Sequence, residues 1–242
     1  IKDTIKYLDK EKFKIFIFSL SRKNINDESQ NQLRKTSEEW FDVNELNNLN
    51  IAKLIQDKKI DILIDLMGFT KPDRLELFNS RIAPKQISWM AYCNTSGLQT
   101  MDYLIVDENL IQDNEEKFYS EKVIKMPDIW NSHSGFNEKR VFNELPSLNK
   151  ENFTFGSFNN FRKISDDVVE TWSQILNNIP NSNLILKSST ACDNASLLNK
   201  FKKYQVDHKI TIMKKSDFMD KKDHINLYKK IDLSLDTFPY NG

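Results

Sequence analysis

A lysine lies between a predicted strand and a predicted helix start in the second half of the chain. The segment 158–164 has the sequence FNNFRKI and contains Lys163, and Ser165 is of the type that caps a helix beginning with Asp166 and Asp167. Free backbone N–H groups and the helix dipole favour an anion there, so the lysine suits a diphosphate whose negative charge grows as it leaves. A solvated lysine ahead of a capped helix is the alternative interpretation.

A polar turn follows a predicted strand in the first half of the chain. The segment 83–97 has the sequence APKQISWMAYCNTSG, in which a short strand is followed by small and hydroxyl-bearing residues. Hydroxyl groups and backbone N–H groups at a strand end can bind a sugar or a phosphate. An ordinary loop after a strand has the same composition.

Three histidines could contribute to a site. His224 lies on a predicted helix over residues 221–230, where it can pack on a nucleotide base or hydrogen-bond to it, or can simply be a surface histidine. His133 and His208 fit structural or exposed roles better. No cluster of histidine, cysteine and aspartate has the spacing of metal ligands.

Several common catalytic patterns are missing from the sequence. Its five glycines form neither a GxGxxG nor a GxxxxGK pattern, which weighs against dehydrogenases, kinases and P-loop NTPases. No GxSxG turn of the hydrolase type occurs either.

The composition restricts the expected partners and the expected cellular compartment. The 35 basic and 35 acidic residues balance, so neither nucleic acid nor an acidic membrane surface is an expected partner. Cys93 and Cys192 lie far apart, which favours a reducing cytoplasm. No apolar run approaches the roughly 20 residues of a membrane span. Because the chain begins with Ile1 and ends inside a turn at Gly242, we expect a piece of a longer protein.

Short runs of β-branched and aromatic residues alternate with segments of helical spacing. This alternation predicts βαβ units and mainly parallel sheets, hence an α/β fold. The polar segment 131–152 breaks it and is predicted to be a linker between an N-terminal lobe, residues 1–130, and a C-terminal lobe, residues 153–242. Loops at the carboxyl ends of strands are therefore expected to form a site between the lobes. The predicted strands are 13–18, 61–66, 86–89, 103–106, 153–158, 184–186, 210–213 and 233–235.

Six blocks of the chain resemble the catalytic region of O-linked N-acetylglucosamine (O-GlcNAc) transferases and the related SPINDLY proteins. Their order and spacing are similar to the family's, and they extend over nearly the whole chain. The blocks are DILIDLMGFT at 61–70, APKQISWMAYCNTSG at 83–97, MDY at 101–103, YSEK at 119–122, FNN and KI within 158–164, and DTFPYNG at 236–242.

The resemblance implies a GT-B fold, with two Rossmann-like lobes that are both incomplete in this chain. It implies inverting, metal-independent transfer of a sugar, in the first place N-acetylglucosamine, from a UDP-sugar to Ser or Thr hydroxyl groups of proteins. The UDP-sugar is then a co-substrate, and no cofactor or metal is implied. A protein acceptor and an upstream array of helical repeats are the further partners that the resemblance implies.

The resemblance also implies roles for residues at the nucleotide. Lys163 falls on the family lysine that contacts the donor's diphosphate and stabilises the leaving group, which makes it the implied catalytic residue. Asn160 falls near the nucleotide, where the animal enzymes have glutamine. His224 matches a histidine that packs on uracil, and Met219 and Lys221 match positions at the base and ribose.

A second group of residues is implied to bind the donor sugar. The family commonly has GYPGTSG where this chain has AYCNTSG at 91–97, so two glycines and a proline are replaced and the identity of the sugar stays open. The implied donor-binding positions of this group are Met90, Ala91, Tyr92, Cys93, Thr95 and, near the N-acetyl group, Tyr240.

Two catalytic segments of the family fall outside the chain. The family's histidine motif would precede Ile1, and its His-Thr-Thr segment would follow Gly242. We therefore expect the isolated chain to be inactive or to bind the donor weakly. The open alternatives are a GT-B transferase with another donor, such as the GDP-fucose that some SPINDLY relatives use, one with a glycan or lipid acceptor, and a non-catalytic relative that binds nucleotide sugars.

Overall fold

Parallel pairing joins every pair of neighbouring strands in the part of the chain that the structure describes. This computed structural model describes residues 1–21, 28–90, 92–131, 143–187, 194–213 and 221–241, with the backbone alone at 221 and 222. The chain divides into two compact units, residues 1–136 and 137–242. The predicted α/β class with mainly parallel sheets is confirmed.

The described part of the first unit contains a two-stranded and a four-stranded sheet. The strand orders are β1-β2 and β3-β4-β5-β6. The helices are α1 (Lys2–Tyr7), α2 (Glu28–Thr36), α3 (Asn48–Asp57) and α4 (Pro72–Leu75), and the strands are β1 (Phe16–Ser19), β2 (Glu39–Asp42), β3 (Ile62–Asp65), β4 (Lys85–Ser88), β5 (Tyr103–Val106) and β6 (Lys122–Lys125).

Local sequence explains how the first core forms. The side chain of Asn47 caps α3 by accepting a hydrogen bond from the backbone N–H of Asn50 at 2.9 Å. Ile51 and Ile55, one helical turn apart, are both buried and pack in the same apolar cluster as Leu63 of β3. This packing sets the face of the sheet that α3 covers.

In its described residues, the second unit contains one four-stranded sheet with the order β10-β7-β8-β9. Its β-strands and α-helices, in chain order, are β7 (Phe153–Ser157), α5 (Asp166–Asn178), β8 (Ser182–Leu186), α6 (Asn194–Lys202), β9 (Ile210–Ile212), α7 (Lys221–Leu227) and β10 (Leu233–Ser234).

Helix α5 anchors the second core. The hydroxyl oxygen of Ser165 accepts a hydrogen bond from the backbone N–H of Val168, so the predicted cap is present. Val169, Trp172 and Leu176 follow at helical spacing and are buried against the sheet. Fully burying one such apolar side chain contributes about 1.5–3 kcal/mol.

The structure differs from the sequence-based expectation at several elements. Strands β2 and β6 were not predicted, because each contains only two adjacent apolar residues flanked by charged ones. The segment 131–152 includes a 3-10 turn over Pro146–Asn149, and its residues 132–142 lie outside the described part of the chain. The division after residue 136 falls inside this segment.

The helices in the described residues are short. The longest, α5, has 13 residues, and none is long and apolar enough to cross a lipid bilayer.

Candidate functional site

Three strands of the second unit end beside one another at one edge of their sheet. Strand β7 leads into Phe158 and Asn159, β8 into Lys187, and β10 into the turn that contains Asp236. The side-chain amide of Asn159 donates a hydrogen bond to the carboxylate of Asp236 at 2.7 Å, which ties the ends of β7 and β10 together. Ligands of open parallel sheets bind at this carboxyl edge.

Lys163 lies at this edge on a 3-10 turn over Phe161–Lys163. Its ammonium group donates a hydrogen bond to the carbonyl oxygen of Asn241 at 2.8 Å and lies 4.6 Å from the ring centroid of Tyr240. The structure therefore brings together Lys163 and Tyr240, two residues that sequence reasoning had placed in separate blocks. The lysine is half-buried, and its ammonium group can exchange its carbonyl partner for an anion.

Asn160 caps the turn that carries Lys163. Its side-chain oxygen accepts a hydrogen bond from the backbone N–H of Arg162 at 3.0 Å. The hydroxyl of Thr237 donates to the carbonyl oxygen of Tyr240 at 2.7 Å and holds the facing turn. Asn160 thus contributes to the orientation of Lys163.

His224 contacts a lysine that the sequence analysis did not identify. Its Nδ1 atom lies 2.9 Å from Nζ of Lys187, the residue that directly follows β8 and is only 8% exposed. Burial, and next the nearby positive charge of Lys187, hold the pKa of His224 below its usual value. Burial likewise lowers the pKa of Lys187.

Aromatic rings surround the imidazole. The ring centroids of Phe158 and Tyr228 lie 6.2 Å and 5.7 Å from that of His224, and 4.8 Å from each other. All three pairs meet edge to face. Tyr228 is 47% exposed, so the group combines flat apolar surface with an accessible face.

In the first unit, a glycine at the carboxyl end of β3 sets the position of Tyr92. The carboxylate of Asp65 accepts hydrogen bonds from the backbone N–H groups of Met67 and Gly68 at 2.9 Å and 3.0 Å. Burial raises the pKa of Asp65 despite these bonds. A Cβ atom on Gly68 would overlap Tyr92, whose ring also meets Phe69 edge to face at 5.1 Å.

The loop after β4 starts with an unusual backbone conformation. Met90 has a φ of 69°, in the left-handed region that non-glycine residues rarely occupy. The indole N–H of Trp89, just before it, donates to the carbonyl oxygen of Trp130 at 3.0 Å. Cys93 is exposed. Strain in a loop at a strand end is typical of functional sites.

Thr95 is held by a carboxylate next to β6. Its hydroxyl donates to Glu121 at 2.7 Å, and the backbone N–H of Ser96 donates to the same carboxylate at 2.6 Å. Glu121 directly precedes β6, so these contacts lie at the amino end of that strand, whereas Tyr92 contacts residues that follow β3. The two residues, which the sequence had placed in one donor-binding group, therefore contact different elements of the sheet.

Some predicted positions cannot be located and some contributing residues were missed. Met219 and Ala91 lie outside the described residues, as does the side chain of Lys221. The residues that sequence reasoning did not single out are Lys187, Tyr228, Asp236 and Glu121. Only the strand-end position of Lys187 could have identified it, because it follows the predicted strand 184–186.

A cavity of about 690 Å³ in the second unit lies apart from these residues. Thr154, Asn183 and Lys229 are among its lining residues, and none of the predicted site residues lines it. Within the described ranges, no group of three His, Cys, Asp or Glu side chains could hold a metal ion.

The fold and the edge geometry together define an α/β protein with strand-end loops suited to a nucleotide. The model of glycosyl transferase family 41 matches residues 2–145 and 139–242. The chain therefore belongs to glycosyl transferase family 41.

Two plant proteins that are similar in sequence to this chain are described as glycosyltransferases. The probable UDP-N-acetylglucosamine–peptide N-acetylglucosaminyltransferase SPINDLY of Petunia hybrida is 32% identical over 254 residues, which cover 100% of this chain and 26% of that protein. The probable transferase of the same description named SEC, from Arabidopsis thaliana, is 34% identical over 186 residues, covering 74% of this chain and 19% of that protein. The chain thus spans about a quarter or less of the length of these relatives.

A solved structure shows the same fold. A mutant of the O-GlcNAc transferase of Thermobaculum terrenum matches with a TM-score of 0.84 and 26% identity, over 100% of this chain and 45% of that chain. Because that protein is a GT-B glycosyltransferase, the GT-B fold class expected from the resemblance is confirmed.

Proposed function

We propose that this chain is the donor-binding part of a glycosyltransferase that moves N-acetylglucosamine from a UDP-sugar to Ser or Thr hydroxyl groups of proteins. The observation that carries the proposal is that one sheet edge, at the end of β7, has both a half-buried cation, Lys163, and an aromatic group around His224. The names of the similar plant proteins, which specify this donor and a peptide acceptor, support the same chemistry.

The aromatic group fits the base of the nucleotide. Phe158, His224 and Tyr228 offer flat surfaces, and the imidazole adds a polar group that can hydrogen-bond to a base edge. A pyrimidine ring stacked there loses apolar surface to water on binding. In nucleic-acid complexes, stacking of a base on an aromatic side chain is worth about 1–3 kcal/mol.

Lys163 fits the diphosphate. In an inverting transfer the acceptor oxygen forms a bond to the anomeric carbon while the bond from that carbon to the diphosphate oxygen breaks. The bonding electrons leave with UDP, so negative charge develops on the diphosphate, and the hydroxyl proton goes to a base. An ammonium group held beside that oxygen stabilises this charge, which is the task that a metal performs in other transferases. We therefore propose transfer without a metal or other cofactor.

The sugar-binding role belongs, in this proposal, to the loop after β4. This loop has a strained backbone at Met90, a ring positioned by Phe69 at Tyr92 and an exposed thiol at Cys93. Since the loop departs from the family's GYPGTSG sequence, fucose from GDP-fucose is the second candidate donor. The cysteine usage of the chain supports a cytoplasmic location. Membership of the family supports protein acceptors, which a helical repeat array selects.

Binding of a donor panel tests the proposal. Isothermal titration of the chain with UDP, UDP-N-acetylglucosamine and GDP-fucose should show binding of the two uridine compounds and none of GDP-fucose, with affinities unchanged by EDTA. Binding of GDP-fucose alone would support the second donor. Loss of UDP binding in EDTA would contradict metal independence, and a chain that binds none of the three would contradict the proposed function. Sugar transfer itself is measured with the full-length protein and a peptide acceptor.

A further inference from the structure

Lys187 places a positive charge against one ring nitrogen of His224. The lysine directly follows β8 and is 8% exposed, and its Nζ atom lies 2.9 Å from Nδ1 of the imidazole. Neither residue adjoins the other in sequence, so the contact is made by the fold. It pairs two groups that both carry positive charge when protonated.

The chemistry of the two groups dictates where the protons lie. A lysine ammonium has three N–H donors and no acceptor, so the imidazole nitrogen facing it must be the acceptor. A neutral imidazole has one N–H group, which is then at Nε2. Protonation of Nδ1 would remove this acceptor and set two cations about 3 Å apart, which is unfavourable at any effective dielectric constant.

Among the described residues, other groups from two elements lie near His224. Phe158, at the end of β7, contributes an uncharged ring. On α7 and the turn after it, Asp223 precedes the histidine and Tyr228 lies one turn on, with its ring against the imidazole. The low pKa of His224, caused by burial and then by Lys187, agrees with this geometry.

We infer that Lys187 is a positioning residue that fixes His224 as the neutral imidazole with its proton on Nε2. The Nε2–H group is then the donor left for a carbonyl oxygen of a nucleotide base. The role of the Nε2–H group in binding the nucleotide sugar rests on the proposed function. The tautomer of His224 does not rest on it. Lys187 acts through the histidine and has no part in bond breaking.

Nitrogen-15 NMR of the imidazole tests the inference. In the wild-type chain the spectrum should show the Nε2–H tautomer of His224, and its titration midpoint should lie below the ordinary value of about 6.5. Lys187→Met should mix the tautomers and raise the midpoint, because it removes the positive charge that opposes protonation. Lys187→Arg keeps a donor-only cation and should retain the wild-type tautomer. Lys202→Met removes an exposed lysine of α6 and should change neither quantity.

The outcomes separate the inference from the proposed function. A wild-type Nδ1–H tautomer overturns the inference, as does a folded Lys187→Met chain with an unchanged tautomer and midpoint. If Lys187→Met does not fold, the wild-type and Lys187→Arg spectra still decide. Addition of UDP should shift the Nε2 resonance. A chain that shows the Nε2–H tautomer but binds no UDP contradicts the proposed function and leaves the inference standing.

Discussion

The ammonium group of Lys163 donates a hydrogen bond to the backbone carbonyl oxygen of Asn241, 78 positions further along the chain, at 2.8 Å. The bond connects the turn after β7 with the turn after β10, whose strands are neighbours in the sheet. The lysine is therefore held near its place before any anion binds. Its carbonyl partner is neutral, so a diphosphate is a stronger acceptor for the same donor.

Replacing Lys163 should weaken binding of the phosphates and spare the base. Lys163→Ala removes a charge-assisted hydrogen bond of about 1.5–3 kcal/mol, so the affinity for UDP should fall by at least about tenfold. The affinity for uridine, which lacks the diphosphate, should stay constant. Calorimetric titration of both ligands measures this. Lys202→Ala on the exposed face of α6 is the control, and an equal loss for UDP and uridine would contradict the assignment of Lys163.

Replacing Tyr228 should weaken the binding of uridine and of UDP alike. Tyr228→Ala removes one ring of the aromatic group, so uridine and UDP should both bind about 5- to 150-fold more weakly, the range that a stacking energy of about 1–3 kcal/mol predicts. Tyr228→Phe keeps the ring and should bind as the wild type does. Fluorescence or calorimetric titration compares the two ligands. Tyr7→Ala, at an exposed tyrosine of α1, is the matched control. Unchanged uridine binding in Tyr228→Ala would contradict the assignment of the base to the aromatic group.

Alkylation of Cys93 should separate sugar binding from nucleotide binding. The thiol is exposed, so N-ethylmaleimide should modify it in a Cys192→Ser chain. If the loop lines the sugar pocket, the adduct should lower the affinity for UDP-N-acetylglucosamine and leave that for UDP unchanged. A Cys93→Ala, Cys192→Ser chain treated in the same way should show no change. Equal affinities before and after modification would place the sugar elsewhere.

Glu121 should stabilise the first unit in a pH-dependent way. Burial by itself raises the pKa of Glu121, but hydrogen bonds from the Ser96 and Thr95 hydroxyls and from the Ser96 backbone N–H outweigh it, so the pKa lies below its usual 4.5. A carboxylate whose pKa is lower in the folded than in the unfolded chain stabilises the fold above the unfolded value. That contribution is lost as the pH falls below 4.5 and through the folded pKa.

Urea unfolding of Glu121→Gln measures this contribution. At pH 7 the variant should lose about 1–3 kcal/mol of unfolding free energy, because the amide replaces one acceptor oxygen by a donor that faces other donors. The difference from the wild type should shrink as the pH falls below about 4. Glu108→Gln, at an exposed carboxylate, should have nearly the unfolding free energy of the wild type both at pH 7 and in acid. A constant difference across the pH range would assign the loss to packing.

The elements with clear periodicity could be predicted from the sequence. Helix α5 has Ser165 as its cap and buries Val169 and Trp172, as the spacing of its apolar residues indicates. Strand β6 could not be predicted, since it has only two apolar residues, with a lysine on either side of them. It forms because the edge of β5 offers backbone partners, and such pairing depends on tertiary contacts.

The sequence by itself determined the α/β class, the strand-end positions of Lys163 and Tyr92, and the blocks that resemble the family. These follow from local periodicity and from residue order, which a linear chain contains. Only the tertiary structure paired Lys163 with Asn241 and Lys187 with His224, and assigned Thr95 to Glu121. The physical reason is that hydrogen bonds act over about 3 Å, whereas these partners are 78, 37 and 26 positions apart, and strand order and register decide which of them meet.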